Sequence, residues 1–436
     1  MNDKGKILLV GFGPGSEEQM TLRARAAIEE ADVVIGYATY IKLVEHLLPG
    51  KEVVRKGMTE EIDRCMAAWE QARLGKTVAL ISSGDIGVYG MAGPTYEILL
   101  QSGWSPGSGI QVEVIPGSTA LNAAASLVGA PLTHDFCAIS LSDLLTPWPQ
   151  IARRLQAAAR GNFVIALYNP KSGRRTGQII EAQRILLQYR APSTPVAIVK
   201  SAYRQRQHIQ RVRLDQMSQC DIGMLSTVLI GNADSYWREG LMITPRGYRN
   251  KYQDLTGDAH EGEQAGRSLS LGLEGWQNTL REHLLAHPRE TLPEAASRFD
   301  VPLGAVLGAL ANRGDEEAPC RFRVRQAAAG KWSKLLESCK TWGPLRATVQ
   351  NRNAVTARLA LDGAELRADN DQLLLGNGSG RFQIDLAAVD AAWFVAQGEQ
   401  QRGIQFVDRY GDSLFQLSQD GGDPALYQKT IQRFGR

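Results

Sequence analysis

The residues most able to do chemistry lie in Ser82 to Gly93, SSGDIGVYGMAG, where four glycines accompany one carboxylate. The apolar run 77–81 before them predicts a buried strand, and a helix is expected to start near Pro94. Glycine lets the main chain come close to a ligand at φ values that other residues avoid. Parallel α/β sheets bind their ligands at the ends of strands. The stretch is therefore predicted to hold a small molecule against main chain.

A second glycine turn follows the first apolar run of the chain. Residues 6–10 lead into GFGPGS at 11–16, and a helix is expected from Thr21 to Glu30. This pattern imitates the dinucleotide-binding fingerprint, but Pro14 interrupts it and has no N–H to give a phosphate. The acidic residue expected about 20 residues further on has no clear counterpart. A nicotinamide site is disfavoured, which leaves a tight turn without a ligand or a different ligand in the same place.

The composition is that of a globular protein with two or three domains. The chain has 436 residues, of which 43% are hydrophobic and 22% charged, and this length exceeds one ordinary core. The net charge of +3 argues against nucleic acid as the main partner. The five cysteines lie far apart and form no CxxC pair, which indicates reduced thiols rather than a zinc ribbon.

The chain has no segment typical of export or membrane insertion. The N-terminus MNDKGKILLV enters a short strand without an apolar signal region. No apolar run reaches the length of a spanning helix. We therefore predict a cytoplasmic protein that does not bind a membrane.

From residue 5 to about 250, predicted strands and helices alternate. Apolar runs occur at 6–10, 32–36, 77–82, 111–115, 162–168, 195–200 and 225–231. Helical stretches lie between them, including 60–74, 119–127 and 150–159, with Ser118 or Thr119 available as an N-cap. The alternation predicts an α/β fold with a largely parallel sheet, or two sheets in tandem.

The pattern changes after a polar segment at 251–272, which we interpret as a linker. Residues 273–315 predict short helices, one of them with a capped start at Leu292. Residues 340–436 are rich in short strands, with turn residues at 376–378 and 409–412 that favour hairpins. An α+β domain with an antiparallel sheet is expected here.

The alternating part resembles the class III methyltransferases, which methylate tetrapyrroles. The resemblance covers roughly residues 4–250 and rests on six motifs in the order of the family. These are GYATY at 36–40, SSGDIGVYGMAG at 82–93, IPGSTALNAAASLVGAPLTHDF at 115–136, SLSDLLTPW at 140–148, ALYNPKSGRR at 166–175 and TPRGY at 244–248. Within the family, they resemble the group that methylates precorrin-3B at C17 in cobalamin biosynthesis.

The resemblance implies two α/β subdomains, about 1–116 and 117–250, with S-adenosyl-L-methionine as cofactor in the cleft between them. It also implies a set of residues that border the cofactor. These are Pro14, Gly84, Asp85, Ile86, Ser118, Thr119, Tyr168, Asn169, Ala202, Asn232, Pro245 and Arg246.

Methyl transfer from a sulfonium needs an aligned carbon nucleophile, so positioning is expected to supply most of the acceleration. A base that removes a proton would help the macrocycle carbon to attack. Tyr37, Asp85 and His134 are the candidates for this role. Alternatively, Asp85 only accepts hydrogen bonds from the main chain, and His134 is a surface or capping residue. Basic side chains that could pair with substrate carboxylates are Lys56, Lys171, Arg174, Arg175 and Arg204. For each of them taken separately, a solvated surface role is the preferred interpretation.

The last part, 273–436, resembles the haem-utilisation carrier proteins. The supporting residues are LPEAA at 292–296, FDVP at 299–302, TWG at 341–343, GRF at 380–382 and GIQFVD at 403–408. The resemblance implies a sheet that binds haem and dimerises. No histidine follows His287, so an imidazole ligand from the sheet is absent. Iron could instead be bound by Cys320, Cys339, Tyr410 or Tyr427, but a sheet that holds a tetrapyrrole by apolar contact fits equally well.

His283 and His287 are four residues apart and could share a helix face. Isolated pairs of this kind are usually surface residues, so no metal site is predicted. The predicted function is methylation of a tetrapyrrole, most simply precorrin-3B at C17 with or without ring contraction, by a homodimer whose last domain binds or hands over tetrapyrrole. The alternatives are a methylase that acts in haem uptake or degradation and a non-catalytic haem carrier.

Overall fold

The computed structural model describes residues 5–248, 272–311, 321–350, 355–369, 372–377, 380–398 and 401–436. The chain divides into two compact units, Met1–Gly262 and Glu263–Arg436. Most of the predicted linker lies outside the described residues. Within the described ranges, no helix combines the length and the apolar character needed to cross a bilayer.

The first unit begins with a five-stranded sheet in which all strands are parallel. Its strands are β1 (Lys6–Gly11), β2 (Val33–Tyr37), β3 (Glu52–Lys56), β4 (Thr77–Ser82) and β5 (Gln111–Ile115), in the order β3-β2-β4-β1-β5. Its helices are α1 (Leu22–Glu30), α2 (Ala38–Leu43), α3 (Glu61–Arg73) and α4 (Ala92–Gln101). Because β1 and β4 are neighbours, the two glycine turns that follow them lie side by side.

A second sheet follows in the same unit, and its elements come next in the chain. They are α5 (Ala120–Ser126), β6 (Gly129–Ala130), β7 (Phe136–Ser140), α6 (Trp148–Arg160), β8 (Val164–Tyr168), α7 (Gln178–Leu186), β9 (Pro195–Lys200), β10 (His208–Arg213), β11 (Ser226–Ile230), β12 (Tyr236–Arg238) and β13 (Leu241–Ile243). The five-stranded sheet has the order β10-β9-β11-β8-β7, and β12, β13 and β6 form a small separate sheet.

The expected parallel arrangement is wrong for this second sheet. Only β7 and β8 pair in parallel, whereas β8, β11, β9 and β10 pair antiparallel in that order. The connection 201–207 between β9 and β10 is too short for a parallel crossover, which takes about a dozen residues or more. The apolar runs predicted β8, β9 and β11 but not β7 and β10. The direction of a strand depends in addition on the length of its connection.

Both sheets are buried on both faces, which explains the continuous apolar runs. Strands β1, β4 and β11 are almost fully buried. One face of the first sheet packs on α1 through Ala24 and Ile28, and the other on α3 and α4 through Ala68 and Leu99. This double burial holds the strand ends in place and therefore positions the turns that follow them.

The second unit is an α+β domain, as predicted. Its elements are α8 (Gly272–Ala286), α9 (Leu292–Arg298), α10 (Leu303–Ala311), β14 (Phe322–Gln326), α11 (Trp332–Cys339), β15 (Leu345–Gln350), β16 (Thr356–Leu361), β17 (Leu366–Asp369), β18 (Gln372–Asn377), β19 (Gly380–Asp385), β20 (Ala391–Gln397), β21 (Gln401–Val407), β22 (Ser413–Gln419) and α12 (Pro424–Phe434). A six-stranded antiparallel sheet has the order β14-β20-β21-β22-β15-β16, and β17, β18 and β19 form a second, smaller one.

Local sequence explains the start of α9. The Thr291 hydroxyl accepts a hydrogen bond from the N–H of Glu294, and the Glu294 carboxylate accepts one from the N–H of Thr291 at 2.7 Å. This reciprocal capping box satisfies two backbone donors that a helix start would leave free. It confirms the predicted capped start at Leu292.

Candidate active site

The two glycine turns of the first unit bind each other. The N–H of Gly13 donates to the carbonyl of Gly84 at 3.1 Å, and the N–H of Gly84 donates to the carbonyl of Gly13 at 2.7 Å. Both residues have positive φ, +80° and +75°, which glycine adopts without strain. The 82–93 stretch was predicted to hold a ligand, and the 11–16 turn to be either a tight turn or a second ligand site. The structure makes the two turns one paired unit.

A third strand end joins this pair through Gly117. A Cβ atom at Gly117 would lie 2.3 Å from the carbonyl oxygen of Gly84 and 2.4 Å from that of Gly11. Three backbone segments can approach this closely only because none carries a side chain at the contact. At Gly84, by contrast, a Cβ atom would have its nearest neighbour at 3.7 Å. The missing side chain of Gly84 therefore leaves space at the mouth of the turn.

Asp85 holds these turns together. One carboxylate oxygen accepts a hydrogen bond from the N–H of Gly87 at 2.8 Å, and the other accepts one from the N–H of Gly117 at 3.0 Å. Both oxygens are thus occupied by main-chain donors. This geometry favours the alternative in which Asp85 organises backbone over the one in which it acts as a base.

Tyr168, at the end of β8, connects the second sheet to the start of α5. Its hydroxyl lies 2.6 Å from the Thr119 hydroxyl and accepts a hydrogen bond from the N–H of Leu121 at 2.9 Å. Thr119 is the N-cap residue of α5, but its side chain makes no capping hydrogen bond. The tyrosine hydroxyl caps the helix in its place. Burial raises the pKa of Tyr168, so its hydroxyl remains a proton donor at neutral pH.

The loop after Tyr168 is fixed by Arg175. One guanidinium nitrogen donates to the carbonyl oxygens of Leu141 at 2.9 Å and of Asn169 at 2.6 Å. The amide of Asn169 in turn donates to the Ser140 hydroxyl at 3.1 Å. The Arg175 side chain is only 13% exposed. Arg175 therefore supports the cleft wall, which is neither the solvated surface role nor the pairing with substrate carboxylates that the sequence suggested.

Two hydrogen bonds join the two sheets of this unit across a cleft. Nε of Arg204 donates to the carbonyl of Pro14 at 2.6 Å, and the Tyr89 hydroxyl donates to the carbonyl of Ala138 at 3.0 Å. The Tyr89 ring also lies 5.0 Å from the Tyr168 ring. Among the residues that the structure describes, no carboxylate forms an ion pair with Arg204. Burial lowers the pKa of this guanidinium, but the group remains a cation at neutral pH.

Strained backbone is concentrated at this cleft. Tyr89, Asn169, Ser201 and Tyr203 all have φ between +48° and +57°, a region that residues other than glycine rarely adopt. Three of them line the cleft, and Tyr203 directly precedes Arg204. Such strain persists where the surrounding structure enforces it, and it is typical of functional sites.

The structure brings seven of the predicted cofactor residues together in the lining of this cleft. These are Pro14, Gly84, Asp85, Thr119, Tyr168, Asn169 and Ala202. Their neighbours in the lining are Tyr40, Ser82, Ser83, Val88, Tyr89, Ala120, Val199, Ser201, Arg204, Met224, Leu225, Ser226 and Thr227. Main-chain groups and hydroxyls dominate this set, which suits a nucleoside that carries an amino acid.

The other five predicted cofactor residues do not line the cleft. Ile86 is fully buried below the turn, and Ser118 precedes the start of α5. The side chain of Asn232 accepts hydrogen bonds within its own turn. Pro245 and Arg246 lie beyond β13, where the Arg246 guanidinium faces the carbonyl of Thr133 at 3.4 Å.

Two of the predicted catalytic residues also lie outside the lining. Tyr37 contacts Tyr40 edge to face, with ring centroids 5.2 Å apart, so it supports a residue that does line the cleft. His134 is exposed in the loop before β7, and its Nδ1 accepts a hydrogen bond from the N–H of Asp135. Asp85 is the only one of the three in the lining.

Sequence reasoning missed the stretch 224–227. It lies at the start of β11, and ligands were expected at the ends of strands. Because β11 runs antiparallel to β8 and β9, its first residues share an edge with the last residues of those two strands. Because a parallel sheet was assumed, the start of β11 was not expected to lie at the edge of the sheet where ligands bind.

In the second unit, two of the four residues considered as iron ligands, Cys339 and Tyr427, are buried in the core. Cys339 is fully buried and Tyr427 is 3% exposed, and the Tyr427 hydroxyl donates to the carbonyl of Gly403 at 3.2 Å. Burial raises the pKa of both side chains, which disfavours the anionic forms that bind iron. Tyr410 is exposed and hydrogen-bonded to Arg409, and Cys320 lies outside the described residues.

Comparison with known proteins gives matches for the first unit. Residues 6–218 match the family described as Tetrapyrrole (Corrin/Porphyrin) Methylases. The chain is 48% identical over 242 residues to the probable cobalt-factor III C(17)-methyltransferase of Salmonella typhimurium, covering 56% of this chain and 99% of that relative. It is also similar to a solved structure of the methyltransferase CobJ, with a TM-score of 0.52 and 35% identity, covering 55% of this chain and all of that one.

One similarity extends further along the chain. The cobalt-factor III methyltransferase of Priestia megaterium is 52% identical over 321 residues, which cover 70% of this chain. The matched part of this chain is longer than the first unit, Met1–Gly262. The similarity therefore includes part of the second unit. The chain spans only 58% of the length of this relative.

Proposed function

Because the chain belongs to the tetrapyrrole methylase family, we propose that it transfers a methyl group from S-adenosylmethionine to C17 of a corrin precursor. The observation that carries this proposal is the cleft in which paired glycine turns face the ends of β8 and β9. Seven of the residues that the family resemblance assigns to the cofactor meet there. When bound, S-adenosylmethionine supplies an electrophilic methyl group attached to a positively charged sulfur.

Cobalt-factor III is the proposed substrate, in preference to precorrin-3B. Cobalt-factor III appears in the names of two relatives that are 52% and 48% identical to this chain. The motifs alone resemble the group that acts on precorrin-3B, which remains the second candidate. The names of the two candidate substrates differ in whether the macrocycle contains cobalt. No side chain in the described lining of the cleft would by itself select the form with cobalt.

The residues of the cleft support catalysis by positioning rather than by a strong base. Asp85 uses both carboxylate oxygens to hold backbone, and Tyr168 uses its hydroxyl to fix the start of α5. The space beside Gly84 and the main-chain groups at Ser82–Ser83 would hold the donor. Alignment of two bound reactants converts a bimolecular step into an effectively unimolecular one, which can supply much of the required acceleration.

Arg204 is the proposed anchor for an anionic group. It is a partly buried cation in the cleft wall, held by the carbonyl of Pro14, and its remaining N–H groups can bind a carboxylate side by side. Substrate carboxylates and the carboxylate of the donor share this chemistry. Binding of the substrate and binding of the methyl donor are titrated separately, with the parent protein and with Arg204 variants. The ligand whose affinity falls in the variants is the one that Arg204 binds.

The test is incubation of the full chain with methyl-labelled S-adenosylmethionine and each tetrapyrrole in turn. We expect label to be incorporated into cobalt-factor III, and mass spectrometry with NMR should place the new methyl group at C17. Transfer to haem but not to either corrin precursor would support a role in haem metabolism instead. If calorimetry detects no binding of the donor, the enzymatic proposal is wrong.

For the second unit we propose a supporting role in which it holds or hands over tetrapyrrole. Tethering raises the effective concentration of one binding module near another, and the similarity to the Priestia megaterium relative extends into this unit. Titration of the full chain with haem and with cobalt-factor III, in the presence of saturating donor, should give two binding events. A single event would contradict this role.

A further inference from the structure

A cluster of potential metal ligands lies at the C-terminal end of α8 in the second unit. The rings of His283 and His287 stack with centroids 4.1 Å apart and an angle of 23° between their planes. Glu290 follows in the turn before α9, and one of its oxygens lies 2.5 Å from Nε2 of His283. One ligand atom from each of the three residues lies within 4.8 Å of the others. The pair of histidines, which we interpreted from sequence as surface residues, thus gains a third partner.

The orientation of His287 suits metal binding. Its Nδ1 lies 2.9 Å from the carbonyl oxygen of His283, so Nδ1 carries the proton and donates it. In a neutral imidazole this leaves the lone pair on Nε2. Metal-binding histidines commonly donate their other ring N–H to a backbone carbonyl in this way.

Glu290 and His283 are also held in place. The side chain of Glu290 is only 9% exposed, and its other oxygen accepts a hydrogen bond from Nε of Arg298 at 2.9 Å. The main-chain carbonyl of Glu290 accepts a hydrogen bond from Arg321. The ring of His283 packs edge to face on Phe299, with centroids 5.3 Å apart. Binding would therefore require little additional ordering of these side chains.

We propose that His283, His287 and Glu290 form a binding site for a divalent transition-metal ion, with Zn²⁺ as its representative. Two imidazoles and one carboxylate select ions of this class over Mg²⁺ and Ca²⁺, which prefer sites made of oxygen ligands alone. Three protein ligands leave at least one position open for water or another ligand. Arg298 keeps one oxygen of Glu290, so the carboxylate binds the ion through the other.

Metal binding replaces the direct contact between Nε2 of His283 and the carboxylate oxygen of Glu290, which lie 2.5 Å apart. In the metal-bound form both atoms contact the ion instead of each other.

The experiment uses the full chain without a polyhistidine tag, freed of metal by a chelator. Titration with Zn²⁺ by calorimetry is expected to show one ion per chain. Co²⁺ is expected to give the visible absorption of a site with nitrogen and oxygen ligands. The site lies in the second unit and the test uses no methyl donor or tetrapyrrole, so its result is independent of the proposed methylation.

The variants separate a metal site from a structural ion pair. His287→Ala and Glu290→Gln are expected to weaken Zn²⁺ binding by about tenfold or more. The matched control is His208→Ala, which removes an exposed histidine of the first unit and is expected to bind like the parent. His287 is exposed, so its variant remains informative if changes at the packed His283 disturb folding. Absence of binding to the parent, or equal binding by the His287→Ala variant, would overturn the proposal.

Discussion

At the scale of single residues, the side chains of the cleft act mainly on other parts of the protein. Asp85 binds two backbone N–H groups, Tyr168 caps a helix, and Arg175 fixes the carbonyl of Asn169. Arg204 differs, because it retains N–H groups that can bind a ligand. Substitution of a residue that binds other parts of the protein is therefore expected to reduce stability. Substitution of Arg204 is expected to reduce affinity for a ligand.

Substitution of Asp85 is expected to destabilise the first unit. In an Asp85→Ala variant the N–H groups of Gly87 and Gly117 lose a charged acceptor, and each such hydrogen bond contributes about 1.5–3 kcal/mol. We expect a decrease of this order in the free energy of unfolding, measured by denaturant titration. Asp135→Ala, at an exposed carboxylate, is the control. An unchanged free energy of unfolding together with lost turnover would show instead that Asp85 acts on the substrate.

Substitution of Arg204 is expected to reduce affinity. An Arg204→Gln variant loses a charge-assisted contact with a carboxylate, which corresponds to roughly a tenfold to hundredfold change. We expect KM for the anionic ligand to rise by this factor while kcat changes less, as measured by steady-state kinetics. The control is Arg153→Gln on the exposed face of α6. Equal KM values in parent and variant would exclude Arg204 from ligand binding.

At the scale of elements, close contact between three strand ends defines the floor of the cleft. Gly11, Gly84 and Gly117 follow or end strands β1, β4 and β5, which are neighbours in the first sheet. Their backbones touch, so the geometry of each turn depends on the other two.

A Gly117→Ala variant tests this contact. The added Cβ would lie within 2.4 Å of two carbonyl oxygens, and the backbone must shift to accept it. We expect loss of donor binding and a lower unfolding temperature, measured by calorimetry and by circular dichroism. Gly93→Ala is the control, because a Cβ there meets nothing within 4 Å. If both variants bind the donor equally, the contact between the turns does not determine the site.

A charged pair couples α1 to β5 and makes stability depend on pH. Arg23 binds both oxygens of Glu113, at 2.7 and 2.6 Å, and holds the pKa of this carboxyl at about 2. Because the folded pKa is depressed, the contribution is fully present above the unfolded value and is lost as the pH falls from about 4.3 towards 2. In a Glu113→Gln variant, the free energy of unfolding should therefore decline less steeply over this range. Urea titrations at several pH values measure the slope, and parallel slopes would contradict the assignment.

The sequence predicted most elements because their signals are local. Buried strands appear as continuous apolar runs, and the start of α9 follows from the capping residues at 291–294. The directions of β10 and β11 were not predictable in the same way, because they depend on connections and pairing over long range. For the same reason the family resemblance named seven residues of the cleft but not Met224–Thr227, which only an antiparallel β11 brings there.

At the scale of the whole molecule, the two units have separate hydrophobic cores. Leu8, Ile151 and Leu155 are buried in the first unit, whereas Leu417 and Phe415 are buried in the second. Each core can therefore be weakened without direct change to residues of the other. The cleft belongs to the first unit and the cluster of His283, His287 and Glu290 to the second.

A cavity in the second core should leave donor binding intact. Leu417 is fully buried, and Leu417→Ala is expected to lower the free energy of unfolding of its unit by about 2–5 kcal/mol. Binding of S-adenosylmethionine, followed by calorimetry at a temperature where the variant is folded, should match the parent. Leu22→Ala serves as the stability control, because the Leu22 side chain is exposed and its removal leaves no cavity. A parallel loss of donor affinity would show that the first unit requires the second.

The mutual hydrogen bonds between Gly13 and Gly84 have a consequence for protein engineering. Exchange of the 82–93 loop for that of another methylase, with the aim of changing substrate choice, would leave the 11–16 turn with a mismatched partner. Grafts that carry both segments together preserve the hydrogen bonds between Gly13 and Gly84. They also keep the carbonyl of Pro14, which accepts a hydrogen bond from Arg204. Chimeras of this protein should therefore be designed so that the two loops are exchanged together.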